Sequence, residues 1–382
     1  MKRDGNAMIR INFSDNIRGQ GRNLHLQTDT VDTEYKIISR LFDGGRVLAR
    51  EEGSYDPKMS EVRLHRMAEA FHSEKMVSIE MLYAISARVK TVRHVPSLNK
   101  LGKQFLRWNL LDEAIREFEL ALQYDQYFGE LYLNLGESYI RRGSFNEAIS
   151  ILKKGVHTAS RFCDMWNKLG IAYLRNSEHH EAIEAFEKAI LINNSYDEAH
   201  FSMALCLIEM LANGNGNGKV MDPDYTLNMA KEHLTQAVTI SNRFQNSMME
   251  EGMRKLHHEE IGRALTIFWK VQESLAGEVD LDLIDSFYLG FLYGDNGKEL
   301  EIVQRYVEKL EEMSRKHPTY PDLHNELGIA YMIQCRDLFN RALHQFRWAC
   351  KINPQFKRAS NNLQLTENEG KGLLILLRSL MR

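Results

Sequence analysis

Cysteine is scarce in this chain of 382 residues, and it is nowhere arranged for metal binding or redox chemistry. The four cysteines are Cys163, Cys206, Cys335 and Cys350, and no Cys-x-x-Cys pair occurs among them. Zinc knuckles and thiol redox centres both need closely spaced cysteines, so the sequence indicates neither. Scattered cysteines are typical of a reducing compartment, and we expect a cytoplasmic protein.

Long apolar runs are also missing. A membrane-spanning helix needs about 20 apolar residues, and no stretch of this sequence approaches that length. The most apolar segment, Gly372–Arg378, is far too short. The first thirty residues are polar and contain no apolar core of a signal peptide. The sequence therefore predicts neither a membrane span nor a secretory leader.

Motifs of catalysis and cofactor binding are absent as well. The sequence contains no His-Glu-x-x-His, no Gly-x-Ser-x-Gly and no phosphate-binding glycine loop. The densest groups of possible metal ligands are His179-His180-Glu181 and His257-His258-Glu259-Glu260. Adjacent histidines on a helix point about 100° apart, so neither pair can chelate one ion. We expect no enzyme activity, no cofactor and no metal.

The net charge is −3, but the charge is unevenly distributed. Residues 1–107 contain 19 lysines and arginines against 13 acidic residues. These cations are scattered and carry no interleaved aromatic residues, which a nucleic-acid surface would require. We therefore expect no nucleic-acid partner.

What the sequence does contain is a repeat. Leu101-Gly102, Leu135-Gly136 and Leu169-Gly170 recur every 34 residues, and Ala114, Ala148 and Ala182 follow each pair twelve residues later. A fixed period of about 34 residues marks stacked helical hairpins. A single hairpin cannot bury its apolar face, so neighbouring hairpins must stack to form a core.

Three units, 95–128, 129–162 and 163–196, share this pattern. Their fourth, eighth and eleventh positions are Leu98, Gly102 and Phe105; Tyr132, Gly136 and Tyr139; and Trp166, Gly170 and Tyr173. These positions lie on one face of a first helix. The second helices carry Ala114/Phe118/Ala121, Ala148/Leu152/Gly155 and Ala182/Phe186/Ala189, so small residues flank a large one.

In these residues the chain resembles the tetratricopeptide repeat family, whose pattern is Trp-x2-Leu-Gly-x2-Tyr, then Ala-x3-Phe, then Pro. The proline is missing where Gln126, Ser160 and Asn194 stand, and it returns as Pro354 in a further matching unit, 321–356. That unit has two extra residues in its turn, around Cys335-Arg336-Asp337. The resemblance implies a mainly α fold over 95–356, a right-handed α-α superhelix.

Between the clean units, residues 197–320 are irregular. Phe201, Leu205 and Leu207 fit a first helix, but its partner helix arrives fourteen residues late, after a Gly/Asn loop at 212–219. That loop is either a mobile flap over the groove or a tolerated surface insertion. Residues 261–273 predict a helix that buries Leu265, Phe268 and Trp269.

The two ends of the chain depart from the repeat. Residues 1–94 predict a small antiparallel sheet of three or four strands, with a tight hairpin at Asp43-Gly44-Gly45. A helix that opens at Asp56-Pro57 and a second helical segment over 79–89 complete this module. Residues 357–382 predict capping helices for the last repeat, or a segment that docks on a partner or on a second copy through Leu373–Leu377.

The resemblance also implies a groove, because the first helices of such hairpins line the concave side. The expected partner-binding positions are Asn99, Lys103, Arg107, Leu133, Glu137, Arg141, Asn167, Ile171, Arg175, Phe201 and Leu205. Arg107, Arg141 and Arg175 hold the same position in consecutive units, so stacking places them in a row. Guanidinium groups suit carboxylates, which favours a partner segment with acidic residues; alternatively, these arginines are solvated helix ends.

Some members of this family hold a terminal carboxylate with two lysines, two asparagines and an arginine. The matching positions here are Asn99, Lys103, Glu137, Asp164 and Lys168. The two acidic residues would repel a carboxylate, so we expect no such clamp. Phe201, Leu205, Phe287 and Phe291 make the later groove apolar, which suits an amphipathic helix, an extended peptide or the array folding on itself.

The sequence thus predicts a non-enzymatic scaffold or adaptor that binds a protein or peptide segment in the groove of helical repeats. One alternative is a regulatory protein whose N-terminal β module binds a ligand or a second protein. The other alternative is a self-assembling structural component, a homo-oligomer joined through the C-terminal apolar helix.

Overall fold

A computed structural model describes residues 11–19, 21–31, 33–159, 161–213, 222–274, 282–294, 300–355 and 357–380. Most of the Gly/Asn loop and the side chains of Leu373–Leu377 lie outside the described part, so the predictions about them stay open. The described residues fall into two compact units. The first comprises residues up to Met76 together with Arg93–Leu281, and the second comprises Val77–Val92 and Asp282–Arg382.

The first unit begins with a four-stranded antiparallel meander. Its strands, in spatial order, are β1 (Asn12–Gly19), β2 (Arg22–Val31), β3 (Lys36–Asp43) and β4 (Arg46–Ser54). The β3–β4 turn is the predicted one, because Gly44 and Gly45 both adopt positive φ, at 54° and 84°. Two successive residues with positive φ are what a tight two-residue hairpin needs.

One helix follows the sheet, where the sequence predicted two segments. Helix α1 (Glu61–Val92) is unbroken, because no proline or glycine occurs inside it. It also starts four residues later than Asp56-Pro57 suggested. Asp56 instead forms a turn in which its Oδ1 accepts a hydrogen bond from the Lys58 backbone N–H at 2.8 Å. Leu64 and Ala68 of α1 cover the sheet core at Ile11 and Ile37.

Three helical hairpins then occupy the clean units. They are α2 (Val95–Arg107) with α3 (Leu111–Tyr124), α4 (Gly129–Arg142) with α5 (Phe145–Thr158), and α6 (Cys163–Arg175) with α7 (His179–Ile192). Each hairpin turn contains one residue in the left-handed region, at the same phase of the repeat. These residues are Asn109, Gly143 and Ser177, with φ of 55°, 82° and 61°. The 34-residue period is therefore a period in backbone geometry as well as in side chains.

Each hairpin closes on its glycine. A Cβ built on Gly170 would come within 2.4 Å of the Phe186 ring, and one on Gly102 would come equally close to Phe118. Separations this short are not compatible with van der Waals contact, so only glycine permits this packing distance. The loss of helix propensity, about 1 kcal/mol relative to alanine, is offset by the burial of the facing aromatic ring.

Two further hairpins continue the first unit. They are α8 (Asp197–Ala212) with α9 (Pro223–Ile240) and α10 (Ser247–His257) with α11 (Ile261–Ser274). Helix α11 has nearly the predicted bounds. A single hydrophobic core runs from Tyr132 through α8 to Val271 of α11.

Ion pairs connect the sheet to the first hairpin. Arg22 at the start of β2 binds Glu113 of α3, with Nη1 and Oε2 separated by 2.7 Å, and the Glu113 side chain is fully buried. Arg107 at the end of α2 binds Glu51 of β4, with Nη2 and Oε1 separated by 3.3 Å. The sheet therefore supplies a carboxylate to the first arginine of the predicted row.

The second unit contains α12 (Asp282–Tyr293), α13 (Leu300–Lys316), α14 (Pro321–Ile352) and α15 (Lys357–Leu380). The prediction of a helical hairpin over 321–356 is wrong, since α14 is one helix of 32 residues. Cys335 stands at the turn phase that Asn109, Gly143 and Ser177 occupy earlier in the chain. A left-handed conformation is unfavourable for cysteine, and no glycine or proline follows, so the helix continues.

The C-terminal segment is one helix, α15, which packs against α14. Its capping role stays a prediction. Across the part of the chain that the structure describes, none of the helices combines the length and the apolar character of a membrane span.

Two matched glycine substitutions test whether Gly170 closes a hairpin while Gly328 lies within a continuous helix. Gly170→Ala should lower the free energy of unfolding by about 1–3 kcal/mol, because the methyl group collides with Phe186. Gly328→Ala should raise it by about 0.5–1 kcal/mol, because Gly328 lies inside α14 and nothing is within 4 Å of its added Cβ. Urea unfolding followed by circular dichroism measures both. A clear loss of stability in Gly328→Ala would contradict the continuous helix and would support the hairpin that the sequence predicted over 321–356.

Candidate partner-binding groove

Helices α2, α4 and α6 lie side by side in the first unit, as the first helices of stacked hairpins should. The amide of Asn134 on α4 donates to the Asn99 Oδ1 atom on α2 at 2.8 Å, which fixes the spacing of the two helices. Lys103, Leu133 and Glu137 are half-buried along these helices, and Arg141 and Arg175 are exposed. These side chains form the accessible part of the predicted groove.

Five of the predicted partner-binding residues are buried instead. They are Asn99, Asn167, Ile171, Phe201 and Leu205, with at most 7 % of each residue exposed. Asn99 and Asn167 lie between adjacent helices, and the Asn167 amide approaches the Tyr196 hydroxyl at 3.5 Å. In this structure these five side chains offer almost no surface to a partner, and their part in binding stays a prediction.

Phe201 is buried by the second helix of the fifth hairpin and by the segment that precedes this hairpin. Its second helix, α11, packs against α8 and brings Phe268 edge-on to the Phe201 ring, with centroids 6.1 Å apart. Phe244 stacks on Phe201 with the centroids 5.1 Å apart. Of the alternatives that the sequence left open, the array folds on itself here, and the groove of the first unit ends at α6.

The apolar residues expected further along belong to a different core. Phe287 and Phe291 lie in the second unit, where Phe287 stacks on Tyr306 with ring centroids 3.7 Å apart. Within that unit they contribute to the packing of α12 and α13.

An ion pair lies at the floor of the groove. Lys168 Nζ on α6 lies 2.6 Å from Glu137 Oε2 on α4, and both side chains are 28 % exposed. Burial by itself would raise the pKa of the Glu137 carboxyl, but Lys168, and then Arg141 and Arg175, outweigh it and lower the pKa. Burial would lower the pKa of Lys168, yet the attraction of Glu137 raises it. Lys168 is already paired with Glu137. It is therefore not available to bind the carboxylate of a partner in the clamp described above.

The three arginines of the predicted row have three different environments. Arg107 is paired with Glu51, and Arg141 donates from Nη2 to the Asn109 Oδ1 atom at 3.1 Å. Arg175 lies over the indole of Trp269 on α11, with Cζ 3.9 Å from the ring centroid. The arginine positions recur with the repeat, but the partners come from the sheet, from a hairpin turn and from the fifth hairpin.

The row ends at a residue of opposite charge. Glu209 of α8 is the next residue at this phase, 34 positions after Arg175. Its carboxylate lies 3.5 Å from the His179 imidazole, and both side chains are about 15 % exposed. A partner carboxylate would be repelled from Glu209, so the row of arginines ends with α6.

Away from the groove, the sheet contains a chain of polar contacts that the sequence did not suggest. His72 of α1 joins Asp15 of β1, at 3.0 Å from Nε2, to Thr28 of β2, at 2.8 Å from Nδ1. Acid, imidazole and hydroxyl in this order are the parts of a hydrolytic triad. Thr28 is fully buried, however, so no substrate can reach its hydroxyl in this structure. No sequence motif identifies this contact, because its members lie on three separate elements.

Removal of the groove ion pair should be measurable in both stability and pH dependence. Glu137→Gln leaves the Lys168 ammonium poorly compensated, and we expect the free energy of unfolding to fall by about 1–3 kcal/mol at pH 7. The lowered pKa of Glu137 contributes stability that is fully present above the ordinary glutamate pKa of about 4.3 and is lost as the pH falls below it. The variant should therefore show a shallower loss of stability below that pH.

Glu130→Gln is the matched control for this experiment. Glu130 is 47 % exposed and lies 3.9 Å from Lys103, so its substitution should change stability by less than about 0.5 kcal/mol. Urea titrations between pH 3 and pH 7 compare the variants. Equal stabilities for Glu137→Gln and Glu130→Gln would contradict a structural role for the Glu137–Lys168 pair.

Comparison with known proteins agrees with this architecture. Residues 129–156 and 164–196 match a model of the tetratricopeptide repeat family. Among curated proteins, no relative matches the sequence.

Similar solved structures include a crystal structure of MamA, 25 % identical over 44 % of this chain and 94 % of that chain, with a TM-score of 0.36. The first repeat domain of Spaghetti (RPAP3), bound to an HSP90 peptide, is 21 % identical over 31 % of this chain and 93 % of that chain, with a TM-score of 0.30. PilF of Pseudomonas aeruginosa is 14 % identical over 62 % of this chain and 96 % of that chain, with a TM-score of 0.37.

The spacing of the hairpins, the close packing at Gly136 and Gly170 and the family match coincide in α4–α7. Residues 129–196 therefore form repeats of the tetratricopeptide type, and a four-stranded sheet precedes them in the chain.

Proposed function

We propose that this protein is a non-enzymatic, cytoplasmic scaffold or adaptor whose groove along α2, α4 and α6 binds an acidic segment of a partner protein. Stacked helical hairpins expose an extended surface rather than an enclosed pocket, and this architecture suits the recognition of a peptide segment. The groove offers cationic side chains at its edge and Leu133 within it. Both features suit a segment that carries carboxylates beside apolar residues.

The observation that carries the proposal is the position of the arginine guanidinium groups. Arg141 and Arg175 are exposed, and neither forms an ion pair with a carboxylate of the described residues. Arg107, at the same phase of the repeat, already binds Glu51. The chain's own sheet thus provides one example of a carboxylate at this row, and a partner would supply the next ones to Arg141 and Arg175.

Partner capture with a groove variant tests this proposal. We expect Arg141→Gln/Arg175→Gln to lose a partner that the intact protein retains from a cell extract, because the charge-assisted hydrogen bonds are removed. Arg107 stays unchanged, so that its ion pair with the sheet is preserved. Quantitative mass spectrometry of the retained proteins is the measurement.

Arg161→Gln/Arg254→Gln is the matched control, because both arginines are exposed and lie outside the groove. Both double variants must show the circular dichroism and melting temperature of the intact protein. A partner that both variants retain equally would place the binding surface elsewhere and contradict the proposal.

Self-association is a second candidate, favoured by the surface of α14. Leu338, Trp348 and Ile352 are 64 %, 51 % and 71 % exposed and lie ten and four residues apart, on one face of the helix. Large apolar side chains grouped in this way are typical of an interface. A second copy of the chain could cover them in a helix-to-helix contact.

Light scattering tests the self-association. If α14 pairs with a second copy, the intact protein should show a mass above its 44.4 kDa monomer, and Leu338→Glu/Ile352→Glu should return it to that value. A monomeric mass for the intact protein at high concentration would remove this candidate and leave the groove proposal unaffected.

A further inference from the structure

The contact between Arg175 and Trp269 joins elements far apart in the sequence. Arg175 is the last residue of α6, and Trp269 lies on α11, in the fifth hairpin. The guanidinium carbon lies 3.9 Å from the centroid of the indole, which is the distance of face-to-face stacking. Arg175 is nevertheless exposed, and Trp269 is half-buried.

Stacking fixes the guanidinium plane and leaves its N–H donors directed outward within that plane. A long arginine side chain in solution loses rotamer freedom when it binds a partner. Here the indole has already restricted that freedom, so less entropy is lost when a carboxylate binds. The planar fork matches a carboxylate with two parallel hydrogen bonds. Arg175 therefore differs from Arg141, whose Nη2 already donates to Asn109.

The charges around Arg175 favour an anion. The groups that face this end of the groove are Arg141, Lys168 and Glu137, and Glu137 is already paired with Lys168. On α8, the Glu209 carboxylate lies 3.5 Å from the His179 imidazole. The local balance is positive, and neither acidic side chain satisfies the Arg175 guanidinium.

The position of Arg175 at the end of the groove strengthens the site. Helix α11 covers α8, so an elongated segment lying on α2, α4 and α6 reaches the Trp269 wall next to Arg175. Ile171, one turn earlier on α6, is buried beneath it. A carboxylate bound beside the indole would lose part of its contact with water, and this strengthens its attraction to the guanidinium.

We infer that the Arg175 guanidinium, stacked on Trp269, is a pre-organised receptor for one carboxylate of the partner segment, at the closed end of the groove. This inference rests on the proposed function and specifies its chemistry. The carboxylate comes from an aspartate or glutamate side chain or from the carboxyl terminus of the segment. Trp269 is a positioning residue that acts through Arg175.

Short random peptides displayed on phage and selected on the intact protein supply the probe. The strongest binder is then synthesised with each acidic residue replaced by its amide, and with a free or an amidated carboxyl terminus. Affinities are measured for the intact protein, Arg175→Lys, Trp269→Leu and Trp269→Phe, with Arg161→Gln as the control arginine. Leu133→Trp, which fills the middle of the groove, reports whether the peptide lies there at all.

We expect Arg175→Lys to weaken binding about 10- to 100-fold, the range set by hydrogen bonds between charged groups. Removal of one particular carboxylate of the peptide should cause the same loss and should cause no further loss in Arg175→Lys. Trp269→Leu should weaken binding, whereas Trp269→Phe should retain most of it, because a phenyl ring still stacks on the guanidinium. The acid-to-amide series identifies whether a side chain or the terminus supplies the carboxylate.

Tryptophan fluorescence gives a second readout that a merely structural role would not produce. The binder should change the emission of the intact protein and of Trp348→Phe, and this change should vanish in Trp269→Phe. The chain has four tryptophans, so the difference between these two variants isolates the Trp269 signal.

The outcomes separate this inference from the proposed function. If Leu133→Trp abolishes binding but Arg175→Lys binds as the intact protein does, the groove binds peptides and the receptor assignment is overturned. If Leu133→Trp also binds normally, or if no peptide is enriched, both the receptor and the groove proposal are overturned.

Discussion

The close approach of two helices at a glycine is the constraint on which the repeat array depends. Gly102 and Gly170 allow the rings of Phe118 and Phe186 to fill the space where a methyl group would otherwise stand. Gly136 gives the same close approach to Leu152 in the second hairpin. Each of these three hairpins still exposes an apolar side, which only the next hairpin can bury. The stacking of α2, α4 and α6, and therefore the groove itself, follows from that requirement.

The groove is limited by the place where this regularity ends. In the fifth hairpin, α11 takes the place against α8 that continued stacking would give to a first helix. Its Phe268 enters the core beside Phe201, and its Trp269 reaches the guanidinium of Arg175. One change in packing thus buries the apolar end of the predicted groove and at the same time builds the site that we assign to a carboxylate.

The row of arginines shows how far repetition in sequence carries into chemistry. Arg107, Arg141 and Arg175 occupy one phase of the repeat, and their alignment could be predicted from spacing alone. Their partners could not, because Glu51 belongs to the sheet and Trp269 to an irregular hairpin. The ion pair at the floor of the groove was likewise only partly predictable from the sequence. Glu137 was recognisable as unsuited to a carboxylate clamp, but its 2.6 Å ion pair with Lys168 depends on the distance between α4 and α6.

The sequence by itself determined the helical hairpins, their 34-residue phase, their turns and the tight β3–β4 turn, because these depend on local backbone preferences and on nearby side chains. It did not determine the length of α14, where Cys335 stands at the turn position and no side chain packs on Gly328 to close a hairpin. Tertiary structure also decided which groove residues are accessible. Burial depends on contacts between distant segments, and local periodicity does not specify them.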